Sequence, residues 1–177
     1  TATKSRSPRG KLTNVQTQRQ GGTQGSTTNT SNIGKGSAPA TVRYNNPLAM
    51  YPANWQKKYG AIPNTDTIGG GHKIAGFPDA VSGAAAGLAL LQRGKYYRNK
   101  PISDAIATWS GGNHVSSYIK SLEKYGIDTS KNINVLTPAE IIMLAKAMAH
   151  HETGKPFPLD DASWQSAYAK SKQIGLG

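Results

Sequence analysis

Between Thr137 and Gly154 the segment TPAEIIMLAKAMAHHETG carries the signals that start, sustain and stop an α-helix. Thr137 and Glu140 have the spacing of a capping box, in which each side chain takes an orphan backbone N–H at the helix start. Pro138 falls at the first helical position, where its fixed φ is already helical and its missing N–H has no partner to lose. Gly154 supplies a left-handed stop. Ile141, Ala145, Met148 and Glu152 follow one another at spacings of four, three and four. They therefore share one face, and it is the apolar one. Such a helix must bury its stripe against other elements, and it carries a carboxyl group to the end of that stripe.

The rest of the chain supplies further helices to pack against it. Asp79 is placed to cap a helix through AVSGAAAGLALLQRGKYY, whose small residues allow close packing. NKPISDAIATWS predicts a short helix beginning near Pro101. NHVSSYIKSLEKYG predicts another, with Ile119 and Leu122 in the core and Gly126 as its stop. DDASWQSAYAKSKQ reads as a capped amphipathic helix with Trp164 and Tyr168 on one face. By contrast, residues 44–79 are rich in Pro, Gly and Asn and read as loops, with a small irregular hairpin in TIGGGHKIAGF. The expected fold class is mainly α, of the α+β kind, with a small irregular β/loop lobe.

Charge is distributed unevenly. The 177 residues carry a formal net charge of +12, and no acidic residue precedes Asp66. Half of the net charge sits on Lys4, Arg6, Arg9, Lys11, Arg19 and Lys35, within a segment 1–40 that is otherwise mostly Gly, Ser, Thr, Asn and Gln, with no aromatic and few large aliphatic residues. That segment cannot bury enough apolar area to offset a backbone ordering entropy of about 1–2 kcal/mol per residue. An extended basic arm is expected, disordered when free and ordered by neighbouring subunits of a larger assembly. Its charge would also bind nucleic acid non-specifically, although without interleaved aromatics it lacks a base-stacking platform. The organisation expected is thus an arm over 1–40, a domain over 41–160, and a C-terminal helix and tail over 161–177. There is no cysteine, which removes disulfides and thiolate metal sites. No apolar run approaches the roughly 18–20 residues that span a bilayer, and no signal-peptide core is present, so a protein outside the bilayer is expected.

Glu152 is the residue on which a function would turn. On the apolar face its charged form is poorly solvated, and in the last helical turn the dipole disfavours negative charge by about 0.3–1 kcal/mol. Desolvation is the larger effect. Both favour a carboxyl that stays protonated near neutrality, which is what a general acid requires and which contributes about 10²- to 10⁴-fold in rate. The plain alternative is a glutamate in water at a fraying helix end. The neighbouring histidines do not make a zinc helix, because Lys155 stands where the second histidine of an H-E-x-x-H motif belongs. No metal or other cofactor is expected. The nine carboxylates are Asp66, Asp79, Asp104, Glu123, Asp128, Glu140, Glu152, Asp160 and Asp161. Caps, turns and exposed helix faces account for all but Asp66 and Glu152. Two-carboxylate glycosidases hold the pair about 5–5.5 Å or 6.5–9.5 Å apart, so Asp66 is a candidate partner and a single-acid mechanism is the other option.

The segments RYNNPLAMYPANW, FPDAVSGAAAGLALL, AIATWSGG with SYIKSL, and LAKAMAHHETG occur in an order that resembles phage virion-associated lysozyme-like proteins. The resemblance covers about residues 43–157 and leaves out the arm. Lysozyme-like lytic transglycosylases and glucosaminidases place the helix bearing the catalytic glutamate first, whereas here HHETG comes last. The resemblance therefore implies a circularly permuted lysozyme-like domain, a rearrangement open to folds whose termini meet at the surface. It implies Glu152 as general acid/base. It also implies Tyr44, Asn45 and Asn46, the loop Ser110, Gly111, Gly112 and Asn113, and Tyr118 and Thr153 as substrate-binding residues. Leu48 and Ala49 depart from the family's Gly-Asn, and Trp109 and Ser110 from its Tyr-Asn. Trp55, Tyr51 and Tyr59 offer faces for sugar rings.

The function so implied is cleavage of the peptidoglycan glycan strand, of the lytic transglycosylase type, by a protein carried in the phage particle and acting at the host cell wall. The reading of a different class is a non-catalytic structural virion protein, anchored among other virion proteins by residues 1–40.

Overall fold

Small residues make the centre of this fold. In the computed structural model, which describes residues 33–62, 67–68 and 72–176, the helix running through Gly83, Ala84, Ala85, Ala86 and Gly87 is buried along most of its length. The chain is mainly helical. Helix α1 (Ala40–Arg43) is followed by a 3₁₀ turn (Asn54–Tyr59), strands β1 (Thr67–Ile68) and β2 (His72–Lys73), α2 (Ala80–Arg93), α3 (Ile102–Trp109) and α4 (Val115–Glu123). A second 3₁₀ turn (Ile133–Val135), α5 (Pro138–Thr153) and α6 (Asp161–Ile174) complete it. The two strands pair antiparallel, Thr67 opposite Lys73 and Ile68 opposite His72. This is the irregular hairpin expected there. None of the helices among the described residues is long and apolar enough to cross a membrane.

Helix α2 begins at Asp79, whose carboxylate accepts from Ser82 N at 2.8 Å. It stops at Arg93, four residues before the expected end, where Gly94 breaks the ladder after bonding Leu90 O at 2.8 Å. The glycines explain what lies on it. A Cβ at Gly83 would overlap the Asn45 carbonyl oxygen, and one at Gly87 would come within 2.7 Å of Leu48 Cδ1. The loop 45–48 therefore rests directly on the α2 backbone.

Asn46 holds that loop in place. It is wholly buried. Its Nδ2 donates to Met50 O at 3.0 Å and to Ala75 O at 2.9 Å, while its Oδ1 accepts from Met50 N at 3.0 Å. Ala75 N adds a bond to Met50 O, and Phe77 N one to Tyr44 O. Asn45, at a left-handed φ of 55°, donates from Nδ2 to Phe77 O at 2.9 Å. Segments 44–50 and 75–77 are thus stitched into one slab on top of α2.

The remaining helices enclose this centre. Helix α6 packs along α2 and gives Trp164 and Ala167 to the same core as Leu48, Leu88, Trp109, Leu122 and Met148. A boundary at residue 160 accordingly separates nothing, because α6 shares that core. The arm boundary also moves. Ile33 packs against Tyr44 and Ile74, Ala38 lies on the main core, and Gly34 N bonds Arg43 O, so residues from 33 onward belong to the folded part. The arm expected upstream lies outside the described residues. Helix α3 is capped by Pro101 rather than containing it. Helix α4 ends near Gly126, left-handed at φ 80°, and buries Tyr118 and Leu122 with Ile119 half-buried beside them. Helix α5 has the capping box and the left-handed Gly154 read from its sequence.

Exposed carboxylates on this frame are held by local donors. Lys131 and the Thr137 backbone lower Glu140 below its ordinary 4.5, and Ser130 and Ser163 lower Asp128 and Asp160 below 3.8. Burial pushes the Tyr59 phenol from 10.0 up to about 12, partly opposed by Arg93. Tyr59 donates to Gly175 O at 2.7 Å, which ties the 3₁₀ turn to the end of α6.

Two stability experiments follow from this frame. Gly83→Ala has no room for its methyl and should cost roughly 3 kcal/mol or more in urea unfolding. The analogous change at Gly112 meets no atom within 4 Å and should cost about 1 kcal/mol through its positive φ alone. The pH profile of the melting temperature should fall at both ends. A carboxylate lowered by folding stabilises above its unfolded value, so that part is lost as pH falls below about 4.5 and on through the folded value. A phenol raised by folding stabilises below 10.0, and that part is lost as pH climbs toward 12. Glu140→Gln should flatten the acid limb and Tyr59→Phe the alkaline one.

Candidate functional site

Glu152 lies in the last turn of α5, one residue before the buried Thr153 and two before Gly154. Its apolar companions behave as the spacing predicts, with Ile141, Ala145 and Met148 buried. Glu152 itself is half-buried at the rim of that stripe. The carboxylate does not face solvent alone. The Tyr118 hydroxyl, from α4, donates to Glu152 Oε2 at 2.9 Å. Tyr118 is only 3% exposed, so the phenol is fixed by packing before it meets the acid. A hydroxyl both donates and accepts, which lets Tyr118 stay bonded whether the carboxyl is ionised or protonated.

Behind Tyr118 stands His151, a residue the sequence reading weighed only as a metal ligand. Its ring stacks on Tyr118 with centroids 3.8 Å apart and planes at 24°. Its Nδ1 lies 2.9 Å from Ser121 Oγ, one turn along α4 from Tyr118. His150, about 100° around the helix, meets Tyr125, with Nδ1 2.6 Å from the phenol oxygen and the rings edge to face. The two histidines therefore join α5 to α4 at two points. Among the described residues no three His, Asp or Glu side chains gather as metal ligands. The signal for this cluster was present in the sequence. Tyr118, Ser121 and Tyr125 recur at helical spacing and so lie along one side of α4 and its C-terminal turn.

The other residues brought forward by the resemblance divide into two groups. Ser110, Gly111, Gly112 and Asn113 form the exposed turn from α3 into α4, with Gly111 and Gly112 at φ 69° and 82°. His114 follows at φ 49°, and its carbonyl accepts from Tyr118 N. That loop is open to a ligand and is tied by one helical turn to the residue on Glu152. Tyr44, Asn45, Asn46 and Thr153 sit differently. Asn46 is enclosed and its amide is taken up by the backbone, so a substrate-binding role does not fit it. Asn45 donates to Phe77 O, and the Tyr44 ring lies against Gly34 in a small cluster with Ala40 and Ile74. Thr153 Oγ1 is 2.7 Å from Thr41 Oγ1 in a buried contact that ties the end of α5 to α1. Thr153 thus belongs to the wall beside the acid, while Tyr44, Asn45 and Asn46 are engaged in the slab over α2. Asp66, the candidate second carboxylate, lies outside the described residues.

Of the aromatic faces, Tyr59 is buried and unavailable for stacking. Tyr51 and Trp55, with Tyr96, line a separate open hollow of about 310 Å³ floored by Met50, Leu90 and Tyr97. None of its lining residues belongs to the Glu152 cluster.

No family model matches the chain, and no curated protein matches it.

If Thr153 serves the wall, Thr153→Val should cost about 1–2 kcal/mol in chemical denaturation. Thr41→Val should cost a similar amount, and the double variant little more than either alone.

Proposed function

We propose that this chain is a virion-associated enzyme that cleaves the glycan strand of peptidoglycan, built on a circularly permuted lysozyme-like domain. The observation that carries the reading is the seat of Glu152, a half-buried carboxyl at a helix end, gripped by a packed tyrosine whose own helix starts just after an exposed glycine turn. A general acid needs this combination of restraint and access.

In the proposed reaction Glu152 protonates the oxygen between two amino sugars as the bond from that oxygen to the anomeric carbon breaks. Positive charge then spreads over the anomeric carbon and the ring oxygen. Glu152, now a carboxylate, removes the proton of one of the sugar's own hydroxyls while that oxygen closes on the anomeric carbon. One fragment leaves with a free hydroxyl, the other with an anhydro end, and Glu152 is again protonated. Water in place of the internal hydroxyl would give a reducing end and a hydrolase, with Asp66 as the second carboxylate.

One observation favours the rival reading, a non-catalytic virion protein anchored by residues 1–40. Asn46 and Thr153, which the lysozyme-like resemblance implies as substrate-binding, are occupied within the fold.

Mass spectrometry of purified peptidoglycan incubated with the full chain separates these. Anhydro-ended muropeptides from wild type, reduced at least about 100-fold by Glu152→Gln, would support the transglycosylase. Reducing ends would move the assignment to a hydrolase, and no release by the folded protein would overturn the enzyme reading.

A further inference from the structure

We infer that His151 is a positioning residue for Glu152, acting through Tyr118, and that Ser121 fixes the tautomer in which it does so. The inference rests on Glu152 being the reacting carboxyl, although the geometry behind it stands independently of that reading.

A serine hydroxyl has one proton to donate. Ser121 Oγ lies 3.1 Å from Ser117 O, one turn back on α4, and 2.9 Å from His151 Nδ1. In the arrangement we infer, its proton goes to the carbonyl, which has no other way to use the hydroxyl, and the oxygen accepts from Nδ1–H. In its neutral form the ring then holds its lone pair on Nε2. The Nδ1–H bond sets the ring's rotation, and the stacked face at 3.8 Å passes that orientation to Tyr118. Tyr118 has a second restraint in its own burial, which holds its hydroxyl toward Glu152 Oε2. The chain of contacts is Ser117, Ser121, His151, Tyr118, Glu152, and it crosses between α4 and α5 three times. His151 and Glu152 are adjacent on α5 yet leave it in different directions. The phenol caught between them converts His151's place into a constraint on its neighbour's carboxylate. His151 itself touches no reacting atom in this scheme.

The test reads the carboxyl directly in the full chain. The protein has three glutamates, Glu123, Glu140 and Glu152, so ¹³C labelling of glutamate carboxyls gives three resonances, and Glu152→Gln identifies the third. Tyr118→Phe removes a donor to the carboxylate and should raise the Glu152 titration midpoint by roughly 0.5–1 unit. His151→Ala should raise it in the same direction. In the double variant the effect of His151→Ala should vanish, because its route through the phenol is already gone. His151→Phe, which keeps the stacking face, should return the midpoint most of the way to wild type. Ser121→Ala tests the anchor with a smaller change and should raise the midpoint less than His151→Ala; it also serves if His151→Ala fails to fold. An unchanged Glu152 curve in both His151→Ala and Ser121→Ala overturns the inference. So does a His151→Ala shift that adds in full to Tyr118→Phe, since a residue that merely supports the helix end would act that way. Coupled curves without glycan cleavage would leave the positioning role in place and remove the catalytic one; cleavage with uncoupled curves would do the reverse.

Discussion

Everything around the candidate site depends on how closely one loop can approach one helix. Gly83 and Gly87 open a strip of bare backbone on α2, and the carbonyl of Asn45 and the side chain of Leu48 occupy it. Contact at that range is available only where two Cβ atoms are missing. Once the loop is down, Asn46 is enclosed and must bond, because a buried amide left unpaired costs about 1–3 kcal/mol for each group. Its three bonds to Met50 and Ala75 then dictate where segment 75–77 runs. The turn that leads out of α1 is positioned by the same contact, and α1 meets the end of α5 through Thr41 and Thr153. The acid is placed, at one remove, by two glycines some seventy residues earlier in the chain.

Local chemistry was legible where the signal is local. The capping box of α5, Asp79 and Asp160 as caps, Gly126 and Gly154 as stops, and the hairpin all involve residues within a few positions of each other. The resemblance brings Tyr118 forward as a substrate-binding residue, and in the structure its hydroxyl meets the Glu152 carboxylate. What stayed hidden concerns contacts distant along the chain. Nothing in YNNP says whether an asparagine amide will meet solvent or a backbone carbonyl 29 residues away, as Asn46 does at Ala75. The early end of α2 is a related case. KYY continues the helical composition, but Gly94 ends the ladder and the tyrosines are drawn elsewhere, Tyr97 against Trp109 with centroids 5.0 Å apart. The pair His150–His151 was read against metal templates, whereas its geometry is aromatic.

A carboxylate in the last turn of a helix sits among carbonyl oxygens that have lost their partners, which is an unfavourable place for negative charge. Helix ends usually carry basic residues there, and α5 has His150 and His151. Their rings pack against Tyr125 and Tyr118. The Tyr118 phenol, a neutral donor, bonds the carboxylate. A lysine or arginine in that position would hold the group ionised, and a carboxyl so held is a poor acid. A tyrosine restrains the position while leaving the carboxyl able to exchange its proton. That distinction matters to the proposed chemistry, in which Glu152 gives a proton and takes one back.

The same features bear on the rival reading, because a domain that only packs has no need to hold a carboxyl in this way. Caps and core would stabilise α5 with any residue at 152, and a lysine there would suit the dipole better. Instead, a buried tyrosine directs its hydroxyl to the acid, a histidine stacks behind the tyrosine, and a serine hydroxyl bonds the histidine. Each of these side chains loses rotamer freedom to hold its place. In a purely structural wall, apolar residues of similar volume would pack as well without polar groups to satisfy. The polar chain ending on Glu152 is therefore the part of the molecule that packing alone does not explain, and it weighs toward a carboxyl that does chemistry.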